Sequence, residues 1–485
     1  MAISRRNVLG GVLAGGLVFG FDPARRSWIG DAAAGFGGNR VPRLDGTLRA
    51  DSAAITDASD DFGHIIHRTP VAVLEPGSVE DIAKMVRYAR QNKLKIAMRG
   101  QGHATYGQSQ VAGGIVIQSS AGNALTTIGK IKRDRVTVGA GVQWSDLLRA
   151  TYAQGLTPPV LTDYLELSVG GTLSLGGIGG EASHHGAQVD NVIDLEVVTG
   201  RGDIVTCSRE RNPGLFEATL AGLGQCGMIT QATVQLVPAK TNVTVYNLYY
   251  TNIATYVADQ RKVLADGRFD YLEGSLVANA TGGWDYTIEA ASFYSPPCTA
   301  AAIPQGLADD PTRRTQLDES YLDFAFRIEP LVGLLKTIGL WATPHPWYAC
   351  FVPASKAVDY IGDLVSGLTI ADTGGGPVLF YPFKRSLLHS PLLRVPDEDF
   401  FAFNLLRFPG DPTVVPGQLA QNRMFYDDLV DIGGEQYPLG SIPLTPEDWK
   451  KHYGRAFPIF AAAKAWFDPD DVLTPGQGIF PPRRC

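Results

Sequence analysis

The sequence is poor in cysteine, has no excess of basic residues, and has no long apolar run beyond its N-terminal segment. The cysteines show neither CxxC pairs nor metal-ligand spacing, so they do not predict a metal site. A disulfide framework is not expected in a chain of 485 residues, and most of these thiols should be buried. Their odd number leaves at least one thiol unpaired within the chain. The five cysteines are Cys207, Cys226, Cys298, Cys350 and Cys485.

Acidic residues outnumber basic ones, since 49 Asp and Glu stand against 42 Lys and Arg, which gives a net charge of −7. A negative chain repels phosphate groups, which argues against nucleic acid or an anionic membrane as the main partner. After the N-terminal segment no stretch is long and apolar enough to span a bilayer, so stable membrane insertion is not expected. The length is sufficient for two or more packed domains.

The N-terminus has the pattern of an export signal. Ser4, Arg5 and Arg6 precede an apolar run over residues 8–21, which resembles a twin-arginine signal. The run is short for a membrane span, and the small residues at 32–34 offer a cleavage region. We therefore assign residues 1–35 to this signal, and expect the twin-arginine export machinery as a partner and a periplasmic or extracellular location. An uncleaved membrane anchor is the alternative.

Strand and helix patterns alternate in the first part of the chain. Ser78 precedes apolar residues with helical spacing, and Asp81 is the third helical residue, which predicts a capped amphipathic helix. Strands predicted at residues 71–74 and 94–98 flank this helix and make a β-α-β unit. Ser145 is predicted to cap a second, short helix. Further strands are predicted at residues 113–118, 135–142, within 223–236 and, as a hairpin, at 189–198 and 202–205.

The pattern changes after Pro238, where strand and helix signals occur without a phosphate-binding loop. Residues 242–250 alternate apolar and polar side chains, as a half-buried strand does, and residues around 257–264 favour a helix. We therefore predict an α+β layer over one sheet that ends near residue 440, and turns near the C-terminus indicate that the tail folds back onto the first domain. The other strands of this region are predicted at residues 269–277, 284–293, 347–352 and 400–406.

Two glycine-rich stretches indicate contact with a ligand. Residues 99–108, RGQGHATYGQ, follow a predicted strand, and glycine lets backbone N–H groups come close enough to a ligand to hold a diphosphate. A covalent bond to His103 within this stretch could also hold a cofactor. The alternative is a glycine-rich turn with a solvated histidine, because a lone G-x-G is a weak signal. Residues 161–180, LTDYLELSVGGTLSLGGIGG, are rich in glycine and small hydroxyl residues. Such a segment can lie flat against a large planar ligand.

Motifs between residue 99 and the end of the chain form a set that can be compared with known families. They are RGQGHATYGQ, TDYLELSVGGTLSLGGIGG, HGAQVDNVIDLEVVTGRGDIVTCS, AGLGQCGMITQA, FDYLEGSL, HPWYACFVP, and HYG followed by FDPDDVLTPGQGIF. Together they resemble the vanillyl-alcohol-oxidase type of FAD-dependent oxidoreductase, and within it the cytokinin dehydrogenases. The resemblance implies an α+β, two-domain fold, in which residues 36–240 and 441–485 bind FAD and residues 241–440 form an α+β substrate (cap) domain over the flavin.

The resemblance also implies which residues contact FAD. His103 stands where the family bonds a histidine covalently to the flavin, and Ala104 replaces the serine that usually follows it. Relatives with a second covalent link have a cysteine where Glu166 stands, so a single link is expected. The other positions that match FAD contacts are Gly100, Gln101, Gly102, Gln108, Asp163, Ser168, Ser174, Ile178, Ile229, Tyr453, Thr474 and Gln477.

The activity that the resemblance implies is oxidation of the N6 side chain of a cytokinin, an N6-substituted adenine. The secondary amine becomes an imine, which hydrolyses to adenine and an aldehyde. A hydride goes to flavin N5 and the amine proton goes to a base, for which Asp163 is the candidate. Glu273 is expected to contact the purine edge and Trp347 to pack on the substrate. From the residues alone, Asp163 could instead cap a turn, Glu273 could be a solvated strand residue, and Trp347 could be a core residue.

Other interpretations stay open from the sequence. The electron acceptor is expected to be oxygen or a quinone-like compound. The same fold could oxidise another amine, an alcohol or a sugar, because a fold does not fix a substrate. A non-enzymatic flavin-binding protein is a third alternative, which the presence of both His103 and Asp163 disfavours. No metal site is expected at His184 and His185, because adjacent residues of an extended segment point to opposite faces.

Overall fold

The computed structural model describes residues 41–122, 124–299 and 304–481, and the backbone of short strands nearer the N-terminus. The paired arginines and the predicted cleavage region lie outside the described residues. Among the described residues, no helix is both long and apolar enough to cross a bilayer. The N-terminal strands pair antiparallel in chain order and are β1 (Gly11–Leu13), β2 (Gly16–Asp22) and β3 (Ser27–Gly30).

The next sheet contains the β-α-β unit that the sequence predicts. Its elements are β4 (Thr47–Arg49), α1 (Ser52–Ala58), β5 (Ala72–Glu75), α2 (Val79–Gln91), β6 (Ile96–Arg99) and β7 (Ile115–Gln118). The strand order is β4-β5-β7-β6, and β5 and β6 both run parallel to β7 between them. The Ser78 side chain accepts a hydrogen bond from the backbone N–H of Asp81, which confirms the predicted cap of α2. The first glycine-rich stretch therefore begins where a buried strand ends.

An antiparallel sheet follows in the chain. Its region contains β8 (Arg135–Gly139), α3 (Trp144–Tyr152), β9 (Leu156–Thr157), α4 (Val169–Leu175), α5 (Ala182–His185), β10 (Val192–Thr199), β11 (Ile204–Ser208), α6 (Pro213–Thr219), β12 (Gly227–Gln235) and β13 (Val237–Pro238). The sheet has the order β11-β10-β12-β8. Strands β10 and β11 form the predicted hairpin. Helix α4, from the second glycine-rich stretch, packs against β8 and β12.

Ser145 does not cap α3, and this sequence prediction is wrong. The helix begins at Trp144, so Ser145 is its second residue, and the buried Ser145 hydroxyl has no hydrogen-bond partner in the described residues. The backbone N–H groups of Trp144 and Ser145 donate instead to the carbonyl oxygens of Leu167 and Leu165, at 3.0 and 2.9 Å. A neighbouring segment thus satisfies the N–H groups that a capping side chain would otherwise serve.

One large sheet dominates the middle region, as the sequence predicts. This region contains β14 (Asn242–Tyr250), α7 (Ile253–Asp266), β15 (Tyr271–Ala278), β16 (Trp284–Tyr294), β17 (Thr315–Ser320), α8 (Tyr321–Ala325), α9 (Glu329–Thr337), β18 (Tyr348–Pro353), α10 (Ala357–Ser366), α11 (Ile370–Thr373), β19 (Val378–Phe383), β20 (Phe400–Leu405), α12 (Val415–Asp431) and β21 (Glu435–Gln436). The strand order is β17-β14-β16-β15-β19-β20-β18-β21. Residues of α7, α10 and α12 share an apolar core with this sheet. The domain limits at 240 and 440 stay predictions.

The C-terminal tail returns to the first sheet, which confirms that prediction. It contains α13 (Pro446–Tyr453) and α14 (Phe457–Phe467). Beyond these helices, the backbone N–H of Ile96 donates to the carbonyl of Val472 at 2.8 Å, and the N–H of Thr474 donates to the carbonyl of Ile96 at 2.7 Å. The tail therefore lies beside β6, next to the first glycine-rich stretch.

The described cysteines are free thiols, and most of them are buried, as predicted. Cys207, Cys226 and Cys350 are buried and Cys298 is exposed. Cys485 lies outside the described residues. Burial raises the pKa of the Cys207, Cys226 and Cys350 thiols to about 12, so these side chains stay protonated at neutral pH.

A buried lysine fixes the tail. The Lys464 ammonium donates to Asp468 Oδ2 at 2.7 Å and to the carbonyl oxygens of Gln225 and Leu473 at 3.1 and 3.2 Å. Asp468 in turn accepts the backbone N–H groups of Val472 and Leu473. Both charged side chains are almost fully buried. Breaking a buried pair by removing one partner is strongly destabilising, because the other charge remains in the interior.

Replacing Lys464 by Met should therefore lower the free energy of unfolding by about 3–5 kcal/mol. Equilibrium urea unfolding measures the change. The matched control is Lys450→Met, because the ion pair of Lys450 with Glu447 is exposed and spans 3.9 Å, and it should unfold close to the wild type. Equal stability of Lys464→Met and the wild type would contradict this account of the tail.

Candidate functional site

A cavity of about 1100 Å³, including its open mouth, lies between the first glycine-rich stretch, α4, the start of β12 and the tail. Residues that the sequence assigned to FAD, from both glycine-rich stretches, β12 and the tail, lie together in its wall. Leu439 and Met228 contribute apolar surface. Asp163, Ile178 and Tyr453 are not part of this wall. The assigned residues in the wall are Gly100, Gln101, Gly102, His103, Ala104, Gln108, Ser168, Ser174, Ile229, Thr474 and Gln477.

The first glycine-rich stretch presents unpaired backbone donors at the cavity. In the described part of the chain, the backbone N–H groups of residues 100–105 donate to no other residue. Gly102 and Gly107 have φ angles of +70° and +75°, which only glycine adopts without strain. The buried Asp61 carboxylate accepts the N–H of Gly107 at 2.7 Å and holds the end of the loop. A series of free N–H groups along a loop is the geometry of an anion site.

The tail closes one side of the loop and leaves no room for a side chain there. A Cβ atom on Gly476 would lie 2.4 Å from the carbonyl oxygen of Gly107 and 2.8 Å from those of Gln108 and Gln110. The Thr474 hydroxyl donates to the carbonyl of Gly224 at 3.0 Å, which ties the tail to the turn before β12. Loop, tail and β12 therefore hold one another in position around the cavity.

His103 lies against an aromatic cluster at the cavity wall. Its ring stacks on Phe62 with 3.9 Å between centroids, and Phe62 stacks on His345 by its other face at 4.0 Å. The rings of Tyr164 and Trp347 are 5.0 and 6.0 Å from the His103 ring. Desolvation by these groups, and then the charges of His345 and Lys336, lower the pKa of His103 to about 3. The imidazole is therefore neutral near pH 7 and has a lone pair for bonding.

A cluster of acidic side chains surrounds Arg327. Asp163 Oδ1 accepts hydrogen bonds from Arg327 Nη2 at 2.7 Å and from the Tyr271 hydroxyl at 3.0 Å. Glu273 Oε2 lies 3.5 Å from the same Nη2 atom. Tyr271 and Glu273 share one face of β15, because residues two apart in a strand point to the same side. The structure thus brings the predicted Asp163 and Glu273 together around a cation that the sequence did not indicate.

Glu273 is buried beside Asp163, and its Oε1 atom has no hydrogen-bond partner in the described residues. Burial, and then the Asp163 charge, raise the pKa of Glu273 well above its usual value. A protonated carboxyl can donate one hydrogen bond and accept others. Glu273 is therefore not the solvated strand residue that was the alternative from the sequence.

The acidic cluster and the aromatic cluster adjoin each other in the chain. Tyr164, which contacts the His103 ring, is the residue after Asp163. Trp347 packs edge-on against Phe62, and its indole N–H donates to the carbonyl of Arg407 at 3.1 Å. Asp163 therefore immediately precedes a residue whose ring contacts that of His103.

His184 and His185 do not lie on an extended segment, and this expectation is wrong. They form the end of the short helix α5, because their backbone N–H groups both donate to the Glu181 carbonyl. The His184 Nε2 atom donates to the carbonyl of Phe269. In the described residues, no group of three or more His, Cys, Asp or Glu side chains is arranged to hold a metal ion.

Comparison with known proteins places this site in a family. Residues 70–208 match an FAD binding domain, and residues 286–480 match the family described as "Cytokinin dehydrogenase 1, FAD and cytokinin binding". Cytokinin dehydrogenase 6 of Oryza sativa is 34% identical, over 89% of this chain and 91% of that protein. Cytokinin dehydrogenase 2 of Arabidopsis thaliana is 33% identical, over 90% and 94%. The chain belongs to the cytokinin dehydrogenase family.

A bacterial relative and a solved structure extend the comparison. The "uncharacterized oxidoreductase ORF5 in fasciation locus" of Rhodococcoides fascians is 37% identical, over 89% of this chain and 99% of that protein. The crystal structure of 6-hydroxy-D-nicotine oxidase from Arthrobacter nicotinovorans matches 88% of this chain with a TM-score of 0.67 and 20% identity, which shows the shared fold. This member of the cytokinin dehydrogenase family is therefore an FAD-dependent oxidoreductase with the vanillyl-alcohol-oxidase fold.

The residues present fit FAD. The free N–H groups of residues 100–105 suit a diphosphate, and the small residues of α4 leave room for a planar ring. The buried Tyr453 hydroxyl has no hydrogen-bond partner in the described residues. Ile178 belongs to the second glycine-rich stretch and is also buried.

Sequence reasoning missed several residues of this site, namely Phe62, Glu181, Arg327, Trp341 and His345. Arg327 follows the short helix α8 in a stretch without turn or glycine signals, so local pattern offers nothing that distinguishes it. Phe62 is likewise a single aromatic residue before the glycine-rich stretch. Only His345 stood within a quoted motif, HPWYACFVP. These residues become recognisable through tertiary contacts alone.

Replacing Gly476 by Ala should lower the FAD content of the purified protein, because the added methyl group pushes the tail away from residues 107–110. The ratio of flavin to protein absorbance measures the change. Gly214→Ala is the matched control, since a Cβ atom at Gly214 meets no atom within 4 Å. Full flavin content in Gly476→Ala would show that the contact between tail and loop does not support the cavity.

Proposed function

We propose that the protein oxidises the N6 side chain of cytokinins, with Asp163 as the base. The observation that supports this most strongly is the position of the Asp163 carboxylate. Arg327 and Tyr271 hold it through Oδ1, and the next residue, Tyr164, lies against the His103 ring. A base that is fixed by two donors beside an FAD cavity suits removal of an amine proton during hydride transfer.

The proposed reaction is a two-electron oxidation of a carbon–nitrogen bond. The carbon next to N6 loses a hydride, the N6–H bond loses its proton to Asp163, and a C=N bond forms. FAD, when bound, supplies the acceptor for the hydride. Water then adds to the imine, and the C–N bond breaks to give adenine and an aldehyde. The electron acceptor that restores the oxidised flavin is proposed to be oxygen or a quinone-like compound.

Glu273 and Trp347 are proposed to bind the substrate. Glu273 is a buried acid with one unpartnered oxygen, which suits a contact to the nitrogen-rich edge of a purine. Trp347 belongs to the aromatic cluster beside His103 and offers flat apolar surface for the side chain or the ring of the substrate. The family whose description includes "cytokinin binding" matches residues 286–480, which include Trp347.

His103 is proposed to be bonded covalently to the flavin, and the flavin to have this single link. The low pKa of the imidazole keeps it neutral, so a ring nitrogen is free to form the bond. The other assigned FAD contacts, including Ile178 and Tyr453, remain part of this proposal. We further propose export by the twin-arginine machinery to the periplasm or the cell exterior, and the domain limits given above.

Incubation of the purified yellow protein with isopentenyladenine and a dye acceptor should bleach the dye and release adenine. Turnover of sugars, alcohols or other amines, with no turnover of any N6-alkenyl adenine, would replace the proposed substrate class by one of these. Absence of dye reduction with every donor would contradict the proposed chemistry.

In the same assay, Asp163→Asn should lower kcat by about 100-fold or more while changing KM much less, because the amide cannot take the proton. Asp146→Asn is the matched control, since Asp146 is an exposed residue of α3. An unchanged kcat in Asp163→Asn would remove Asp163 as the base.

Acid precipitation of the wild type should leave yellow flavin in the protein pellet, and His103→Ala should release it to the supernatant. His67→Ala is the matched control, because the His67 side chain is exposed, and its flavin should stay in the pellet. Release of flavin from the wild type would show that the covalent link is absent.

A further inference from the structure

We propose that Arg327 is the positioning residue of this reaction: its guanidinium orients Asp163 as the base and supplies the positive charge that the acidic cluster surrounds. This inference rests on the proposed function, because it takes Asp163 as the acceptor of the substrate proton. Arg327 itself is not one of the described residues that line the cavity.

The contacts of Arg327 fix its guanidinium in one place. Nη2 donates to Asp163 Oδ1 at 2.7 Å and to the Tyr271 hydroxyl, which in turn donates to the same carboxylate oxygen at 3.0 Å. Nε donates to Glu289 Oε1 at 3.0 Å. The guanidinium carbon lies 4.9 Å from the centre of the Tyr271 ring and 4.5 Å from that of Phe324. Because these contacts hold the guanidinium in one place, it can orient the Asp163 carboxylate.

Both donors bind Oδ1 of Asp163, so neither Arg327 nor Tyr271 occupies Oδ2. In the described residues, Oδ2 receives no hydrogen bond from any arginine, lysine or tyrosine, and Glu273 is hydrogen-bonded to the same carboxyl group. Donors that all bind one carboxylate oxygen hold a base in position without covering its other oxygen.

The Arg327 guanidinium is a single positive charge among several acidic groups. Four carboxyl groups face the guanidinium, and in the described part of the chain they pair with no other lysine, arginine or histidine. Burial raises the pKa of Glu181 to about 7 and that of Glu273 well above its usual value. Glu319, Tyr271 and Tyr381 also face the cluster, and burial raises the pKa of each. The four carboxyl groups are those of Asp163, Glu181, Glu273 and Glu289.

Like charges in such a cluster cannot all be ionised together. Among these carboxyl groups, Asp163 and Glu289 accept hydrogen bonds from Arg327, at 2.7 and 3.0 Å. A neighbouring positive charge favours the ionised form of a carboxyl group, so loss of the guanidinium makes that form less favourable for its partners. Removal of the guanidinium should therefore move the pH dependence of the reaction, which a merely structural contact would not do.

The test compares the pH profiles of kcat/KM for the wild type, Arg327→Met and Arg327→Lys, with isopentenyladenine and a dye acceptor. In Arg327→Met the acidic limb should move to higher pH by about one unit or more, which lowers kcat/KM about tenfold on that limb. Arg327→Lys keeps the positive charge but loses the planar guanidinium with its several N–H donors. The acidic limb of its pH profile should therefore stay near that of the wild type, while kcat falls.

Arg149→Met is the matched control, because the contact of Arg149 with Glu329 is exposed and spans 3.7 Å, and its profile should equal that of the wild type. An acidic limb of Arg327→Met that coincides with the wild type would overturn the positioning role. If Arg327→Met does not fold, Arg327→Gln, which also lacks the charge, decides the same question by the position of its acidic limb relative to that of Arg327→Lys. A wild type that turns over no N6-alkenyl adenine would instead overturn the proposed function.

Discussion

The backbone N–H groups of residues 100–105 are the constraint on which the site depends. Apart from the exposed Gln101, these residues are buried or half-buried. Donors in such positions need an acceptor, and in the described residues the protein offers them none. Their positions are fixed by strand β6 on one side and by Asp61 on the other, while Gly476 of the tail lies directly against the loop. A parallel strand, a buried carboxylate and the C-terminal tail thus hold one loop in a conformation that suits an anionic ligand.

The acidic cluster follows a different physical principle. The glycine-rich loop presents neutral backbone groups, whereas this cluster concentrates side-chain charge, with several acids around Arg327. The rings of Phe62, Trp341 and Trp347 lie around His103 and contribute to its desolvation. A low-dielectric environment of this kind strengthens nearby electrostatic interactions. In the proposed function, these two environments hold the flavin and the proton acceptor, respectively.

Local sequence signals predicted those features that local interactions determine. The Ser78 cap, the β-α-β unit and the hairpin of β10 and β11 all depend on residues that are close in the chain. The Ser145 cap failed because distant carbonyl groups serve the same N–H groups, and β19 was not predicted because Pro382 interrupts its pattern. At the site, the glycine-rich stretches indicated the cavity. No local pattern indicated Arg327, because the carboxylates that accept its hydrogen bonds are 38 and 164 residues away.

A crystal structure of the flavin-loaded protein tests the central claim most directly. The account predicts the FAD diphosphate within hydrogen-bond distance of the backbone N–H groups of residues 100–105, and the flavin ring beside the imidazole of His103. Asp163 should lie on the side of the ring where a substrate can bind. A diphosphate bound elsewhere, with these N–H groups facing only water, would contradict the account.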